Sequence, residues 1–239
     1  MADASQLAQN RLLASLDGGL AAIAPDFEAV SLGVRDSIYG QNEPIDHVLF
    51  PTSGVYSMVS EMEDGRGVEV ATVGNEGMLG LPVFLQGALT SSHHAFCQVP
   101  GDALRMPAAR FDEIVTGGEL PELQTALRRY TQALMSMIAR AVACNGVHSV
   151  EQRACRWLLQ THDRVGRDEF LLTQEFLGQM LGVSRASVNE VARELQRQET
   201  IDYARGRVSI VDRARLESCA CECYFVVRDE YERLLGPGA

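Results

Sequence analysis

The chain has 239 residues, enough for two small domains, and it contains no run of about 18 apolar residues that would cross a membrane. Met1 to Asn10 lacks the basic and apolar segments of a secretory signal, so we expect a cytoplasmic protein without a membrane partner, its six cysteines reduced. The formal net charge of −11 lies in residues 1–119, since residues 120–239 carry equal numbers of arginines and acidic residues. The acidic total disfavours nucleic acid as a partner, but the neutral C-terminal half can still present a local basic face.

Residues 5–24 are apolar at helical spacing and are predicted to form a short helical lead-in before Pro25. From Phe27 to Phe111 turn signals recur about every ten residues, which is typical of a β sandwich or barrel. The strand-like runs between the turns are His47–Phe50, Val55–Val59, Val68–Val73 and Ala95–Val99. Residues 107–118 are predicted to form a short helix.

A long helix is predicted over residues 120–148, because apolar residues repeat there at alternating spacings of three and four, as in a heptad stripe. Pro121 is tolerated in its first turn, and Asn145-Gly146 is predicted to end it. The stripe indicates either a core helix within one domain or a parallel dimer seam. We predict a homodimer whose interface contains Leu120, Leu123, Leu127, Tyr130, Leu134, Met137 and Ala141.

After this helix, Ser149 and Gln152 match a capping box that opens a new helix, which runs to about Arg164 and ends at Gly166. Residues 145–149 are therefore predicted to be a hinge. The chain divides into a β domain over 1–119, a dimerisation helix and hinge over 120–148, and a C-terminal domain over 149–239.

Residues 173–197 have the pattern of a helix-turn-helix, with Thr173 and Ser184 as helix caps and Gly182 in the turn. Gly178 provides the close approach that two steeply crossing helices need. The alternative is an ordinary helical hairpin. Residues 201–211 then read as two strands around Arg205-Gly206, which predicts a winged helix.

Such a helix would enter the major groove of DNA with its N-terminal residues. Arg185 is suited to guanine and Glu190 to cytosine, while Arg193, Arg205 and Arg207 are suited to phosphates. The predicted DNA-binding residues are Thr173, Gln174, Ser184, Arg185, Ala186, Ser187, Asn189, Glu190, Arg193, Arg205 and Arg207.

The segments HVLFPTSGVYSMV, VGNEGMLGL and LTQEFLGQMLGVSRASV resemble the CRP/FNR family of bacterial transcription regulators. The resemblance implies an α+β fold: an N-terminal antiparallel β-roll of the jelly-roll type, a long central dimerisation helix and a C-terminal winged helix-turn-helix. It also implies a cyclic-nucleotide-binding-like sensor, a dimer on palindromic double-stranded DNA, and RNA polymerase as a partner. Family members that read DNA with Arg, Glu and Arg correspond here to Arg185, Ala186 and Glu190.

The chain departs from this family in the effector region, which corresponds to Met78, Leu79, Gly80, His93 and His94. Cyclic-nucleotide binders place a ribose-binding glutamate where Met78 stands, and an arginine on the cyclic phosphate where the His93-His94-Ala95 run stands. A histidine is mostly neutral at pH 7. We therefore expect a degenerate pocket that does not bind cyclic AMP, and the sequence does not identify a cofactor.

The last feature is the run Cys219, Cys221, Cys223, which lies in a segment that the apolar spacing from Leu216 to Leu234 predicts as one helix. We expect packing cysteines, with Cys221 pointing away from the other two. The alternative is a thiol- or metal-based redox sensor regulator. The iron–sulfur branch of the family uses N-terminal cysteines, whereas the first cysteine here is Cys97. The sequence offers no nucleophile–base pair or phosphate loop, so we expect no enzyme.

Overall fold

The computed structural model describes residues 3–16, 19–85 and 89–236. The predicted helical lead-in consists of short helices, α1 (Ala4–Leu7), α2 (Arg11–Ala14) and α3 (Leu20–Ile23). Buried Asn10 caps α2 and donates hydrogen bonds to the carbonyls of Pro51 (2.8 Å) and Gly77 (2.9 Å). These bonds fix the lead-in on the β domain.

The N-terminal half is an antiparallel β structure in two sheets, ordered β1-β7-β3 and β2-β6-β4-β5. The strands are β1 (Glu28–Leu32), β2 (Ser37–Tyr39), β3 (His47–Pro51), β4 (Val55–Glu61), β5 (Gly67–Val73), β6 (His94–Val99) and β7 (Gly101–Pro107). The helices α4 (Leu81–Phe84) and α5 (Ala108–Gly117) follow β5 and β7. The core contains Phe50, whose ring lies 5.6 Å from that of Phe27 and 6.1 Å from that of Phe111.

Four of the strands, β3, β4, β5 and β6, lie where the sequence predicted strands, and these predictions are confirmed. The predicted short helix is confirmed as α5. The sequence did not indicate β1, β2 and β7. The edge strand β1 has mostly exposed side chains, and β2 has three residues, so neither shows a clear alternation. In β7, Asp102 and Arg105 interrupt the apolar pattern.

The long helix α6 (Pro121–Val147) is confirmed, with proline in its first turn. The predicted stop at Asn145-Gly146 is wrong, because the helix continues to Val147. His148 follows in an extended conformation, and its backbone N–H donates to the carbonyl of Cys144 (3.0 Å).

The C-terminal half begins with α7 (Val150–Val165), which opens with the predicted capping box between Ser149 and Gln152 and ends at left-handed Gly166. A small antiparallel sheet has the order β8-β10-β9, of which β8 was not predicted. The elements after α7 are β8 (Glu169–Leu171), α8 (Gln174–Leu181), α9 (Arg185–Arg197), β9 (Ile201–Ala204), β10 (Arg207–Ile210), α10 (Arg213–Cys219) and α11 (Cys223–Leu235).

The heptad stripe of α6 lies inside a single chain. Its side chains are between 0 and 9% exposed and pack among elements that include α2, β5 and α11. The structure therefore corrects the assignment of this stripe to a dimer seam, since side chains buried within one chain have no surface left for a second. The residues concerned are Leu120, Leu123, Leu127, Tyr130, Leu134, Met137 and Ala141.

The predicted single C-terminal helix is also corrected. It is divided into α10 and α11 by a turn at Ala220, whose backbone is extended. The turn allows Leu216 and Tyr224 to enter the same C-terminal core. As a result, Cys219 ends one helix and Cys223 begins the next.

The two halves pack against each other through polar and aromatic contacts. The indole nitrogen of Trp157 donates to the carboxylate of Glu69 on β5 (2.7 Å). Arg164 pairs with Glu76 (2.8 Å), and α11 returns to lie along α6. Within the described residues, no helix combines the length and apolar character that a membrane span requires.

Candidate nucleic-acid interface

The turn between α8 and α9 depends on two glycines, as predicted. A Cβ on Gly178 would lie 3.0 Å from the carbonyl oxygen of Val183, so a side chain there would crowd the turn that joins the two helices. Gly182 has a φ of 63°, a left-handed conformation that favours glycine. The helix-turn-helix geometry is therefore encoded locally.

Hydroxyl caps begin both helices of this unit. The Thr173 hydroxyl accepts a hydrogen bond from the backbone nitrogen of Phe176 (3.1 Å), and the Ser184 hydroxyl accepts one from that of Ser187 (3.1 Å). Each cap satisfies an amide that the helix leaves unpaired, and it fixes where the helix begins. In α9 this places Arg185 in the first turn.

Helix α9 is amphipathic, with one face in the C-terminal core and the other in solvent. The inward side chains are Val188, Ala192 and Leu195. Of the predicted contact residues, Ser187 and Asn189 are half-buried, and those exposed on the outer face are Arg185, Ala186, Glu190 and Arg193. The outer face thus presents two guanidinium groups beside one carboxylate.

The wing, which is the hairpin of β9 and β10, lies beside the start of α9. Its turn is formed by Arg205 and Gly206, both with left-handed backbones, and the hydroxyl of Tyr203 donates to the carbonyl of Leu172 (2.8 Å). The groove between the wing and the helices is lined by Thr173, Gln174, Glu175, Arg185, Tyr203, Arg205 and Gly206. The structure therefore brings most of the predicted contact residues to one side of the C-terminal half.

The arginines on this side differ in their partners. Arg207 pairs with Glu169 (2.6 Å), so its charge is partly compensated. In the described part of the chain, Arg185, Arg193 and Arg205 form no ion pair and are exposed. Exposed guanidinium groups without carboxylate partners are suited to phosphates or to base edges.

Within the predicted effector region, Met78, Leu79 and Gly80 are buried. Met78 is 1% exposed, and its carbonyl accepts a hydrogen bond from the hydroxyl of buried Tyr130 on α6 (3.0 Å). A Cβ on Gly77 would lie 2.4 Å from the Tyr130 ring. Leu79 is held by backbone hydrogen bonds to Leu49. Gly80 has a left-handed backbone. Through Tyr130, α6 packs directly against Gly77 and Met78.

The two histidines of this region make different contacts. His93 has the Ser92 hydroxyl 3.1 Å from its Nδ1, and burial lowers the pKa of its ring. His94 lies 2.9 Å from Glu61 and 3.2 Å from Ser37. The partners of both rings are therefore protein side chains.

A cluster of thiols, which the sequence did not indicate as a group, lies where α6 ends. The Cys144 and Cys221 sulfurs are 3.5 Å apart, and the Cys223 sulfur is 3.7 Å from Nδ1 of His148. The contact between the first two thiols lowers the pKa of Cys144 and raises that of Cys221. Cys219 lies instead beside Gln198, with its sulfur 3.8 Å from the amide oxygen.

The expected grouping of Cys219 with Cys223 is thus wrong, because the helix breaks between them. Cys144 continues the spacing of the apolar stripe three residues beyond Ala141, and His148 lies within the predicted hinge. The available signal was their spacing, since residues four apart share one face of a helix.

Comparison with known proteins gives matches in both halves. Residues 30–117 match the cyclic nucleotide-binding domain family, and residues 152–219 match the Crp-like helix-turn-helix domain family. A curated relative in Mycobacterium tuberculosis is the CRP-like cAMP-activated global transcriptional regulator. It is 28% identical over 210 residues, which are 82% of this chain and 90% of the relative.

Solved structures with the same fold include FixK2 from Bradyrhizobium japonicum, with a TM-score of 0.68 and 16% identity over 82% of this chain and 98% of that one. They also include the c-di-GMP responsive global regulator CLP from Xanthomonas campestris. Its TM-score is 0.66 and its identity 13%, over 87% of this chain and 99% of that one. The β domain, long helix and helix-turn-helix occur in the predicted order.

Proposed function

The chain belongs to the CRP/FNR family of bacterial transcription regulators, and on that premise we propose that it acts as a homodimer on palindromic double-stranded DNA. Contact with RNA polymerase and a cytoplasmic location are part of the same proposal, and both follow from the family resemblance. The observation that carries it is the exposed face of α9, where unpaired arginines stand beside a wing.

In this proposal α9 lies in the major groove. Arg185, in the first turn, reads a guanine, and Glu190, one turn later, accepts from a cytosine. Arg193, Arg205 and Arg207 contact phosphates. The remaining contacts come from Thr173, Gln174, Ser184, Ala186, Ser187 and Asn189.

The dimer seam is proposed on the solvent face of α6. This face carries a second series at alternating spacings of four and three, formed by Arg128, Gln132, Met135, Ala139, Val142 and Gly146. Met135 is 65% exposed and Val142 is 70% exposed, although both are large apolar side chains. Ala139 and Gly146 leave room for a second helix, so a parallel pair along this face would bury the apolar positions.

The sensor domain is proposed to have lost the cyclic-nucleotide contacts. The Mycobacterium tuberculosis relative is described as cAMP-activated. In this chain Met78 stands where the resemblance places the ribose-binding carboxylate. The hydroxyl of Tyr130 donates a hydrogen bond to the Met78 carbonyl. We therefore propose that a different signal, or none, acts on this domain.

The proposal is tested by selecting bound sites from a pool of random duplexes with the full-length protein. We expect a near-palindrome with half-sites about ten base pairs apart, because the two recognition helices of a dimer enter successive major grooves. The half-site should differ from that of family members with Arg, Glu and Arg, since Ala186 and Glu190 replace the last two. Failure to enrich any sequence, or enrichment of single half-sites alone, would overturn the dimeric regulator.

A further inference from the structure

The end of α6 and the turn between α10 and α11 bring together four side chains that ligate metals: Cys144, His148, Cys221 and Cys223. Their ligand atoms all lie within 4.8 Å of one another. A tetrahedral zinc ion with Zn–S bonds of about 2.3 Å and Zn–N bonds of about 2.0 Å separates its ligands by roughly 3.5–3.8 Å. The Cys144–Cys221 distance of 3.5 Å and the Cys223–His148 distance of 3.7 Å match two of the six edges of that tetrahedron.

The backbone explains why these side chains converge. Cys144 lies in the last turn of α6, and His148 follows the helix end with an extended backbone, its N–H donating to the carbonyl of Cys144. Cys221 lies in the turn after α10, and Cys223 begins α11. The site therefore joins two segments that are 77 residues apart at Cys144 and Cys221.

The orientation of His148 is a second, independent observation. Its Nδ1 faces the sulfur of Cys223, while its Nε2 lies 3.1 Å from the carboxylate of Glu222. A histidine that binds a metal through one nitrogen typically donates its other N–H to a carboxylate, which fixes the ring and makes it a better ligand. Glu222 occupies that position.

Charge around the cluster agrees with a metal-thiolate site. Three thiolates and one Zn²⁺ carry a net charge of −1. Two guanidinium groups that are only 8% exposed, those of Arg153 and Arg156, interact electrostatically with Cys144. Among the described residues, neither Nε has a hydrogen-bond partner. Buried cations of this kind are stabilised by a negatively charged neighbour.

We propose that Cys144, His148, Cys221 and Cys223 bind one Zn²⁺ as a structural site. Four protein ligands fill a tetrahedral shell and leave no open position for a substrate, so the site is not catalytic. The metal clamps the hinge at the end of α6 to the turn before α11. It thereby holds the helix-turn-helix half against the long helix, independently of any contact with DNA.

The test uses the full-length protein, purified under reducing conditions, with its metal content measured by mass spectrometry. We expect one zinc ion per chain. After a chelator has removed the zinc and Co²⁺ has replaced it, the protein should show the visible absorption bands of a tetrahedral cobalt–thiolate complex. The Cys221→Ser variant should lose most of the zinc.

The chain provides a matched control in Cys219, which is in the same cysteine run but outside the cluster. Cys219→Ser should retain the full zinc content and the cobalt spectrum. Glu222→Gln keeps every ligand and should weaken Co²⁺ binding about 10- to 100-fold, the effect expected for loss of an outer partner.

Two results would overturn the site. They are reduced wild-type protein that gives neither zinc nor the tetrahedral cobalt spectrum, and equal loss of zinc from Cys219→Ser and Cys221→Ser. The cobalt spectrum of the wild-type chain needs no variant, so a misfolded variant cannot obscure the answer. The metal measurements contain no DNA. A negative result for the zinc site therefore leaves the proposed DNA binding untouched, and a negative duplex selection leaves the zinc site untouched.

Discussion

At the scale of single residues, the roles proposed for two arginines of α9 make different predictions. Arg185→Ala should weaken the preferred duplex by about 1–3 kcal/mol and relax specificity at one base pair, because a bidentate base contact is lost. Affinities for a set of duplexes, each changed at one position and measured by fluorescence anisotropy, would show this.

Arg193→Ala is the matched comparison on the same helix. Loss of a phosphate contact should weaken all duplexes alike and lower the slope of log affinity against log salt by about one. If Arg185→Ala also weakens every duplex equally, it contacts phosphate and the proposed placement of α9 is incorrect.

The effector region gives a second prediction at this scale. Cyclic AMP should produce no binding heat in calorimetry, because Met78 offers no carboxylate to a ribose hydroxyl and because burial lowers the pKa of His93, which favours its neutral form. The M. tuberculosis relative, described as cAMP-activated, would serve as the positive control. A micromolar dissociation constant for this chain would contradict the prediction.

At the scale of elements, α6 has two series of residues with the same heptad spacing, one buried and apolar and the other exposed, with Met135 and Val142 as its large apolar members. Val142→Asp places a charge on the exposed series and should convert dimers to folded monomers, since an unpaired charge in a buried seam is costly. Leu127→Asp places the same charge on the buried series and should unfold the chain instead. Light scattering and circular dichroism distinguish these outcomes, and a Val142→Asp dimer would remove this face from the interface.

Local signals explain what the sequence could predict about these elements. The caps Thr173 and Ser184 and the turn glycine Gly182 act within a few residues, so the helix-turn-helix followed from spacing alone. The heptad spacing of α6 also predicted a helix. It could not identify what covers each face, because α11 returns from far along the chain.

The same limit applies to the candidate metal site. The four-residue spacing of Cys144 and His148 is visible in the sequence, but their partners follow only after α10 breaks at Ala220. The sequence signal for one helix through that segment was the apolar spacing, which both α10 and α11 satisfy separately. Convergence of the four ligands is a property of the tertiary structure.

At the scale of the whole molecule, the contact between the two halves should depend on pH. Burial raises the pKa of Glu69 from 4.5 to about 7, although hydrogen bonds from Ser57 and Trp157 and the charges of Arg156 and Arg164 oppose the shift. The folded protein therefore holds this proton more tightly than the unfolded chain does. The resulting stability is complete below pH 4.5 and is lost as the pH rises through 7.

Glu69→Gln should remove this dependence while keeping an acceptor for the indole. We expect the free energy of unfolding of the wild type to fall relative to the variant between pH 5 and pH 8, measured by urea denaturation and circular dichroism. Glu63→Gln, at an exposed position in the turn between β4 and β5, should follow the wild type. Parallel curves for Glu69→Gln and the wild type would show that this carboxyl does not titrate differently on folding.

The position of Trp157 gives the molecule a built-in optical reporter. It is the only tryptophan of the chain, it is 2% exposed, and its indole N–H is bound to a side chain of the other half. Separation of the halves would transfer that ring from a packed interface to water, and its emission would shift to longer wavelength. An operator duplex, a metal ion or a small molecule can then be added to the unlabelled protein. The emission wavelength of Trp157 would reveal whether that ligand opens the interface between the halves.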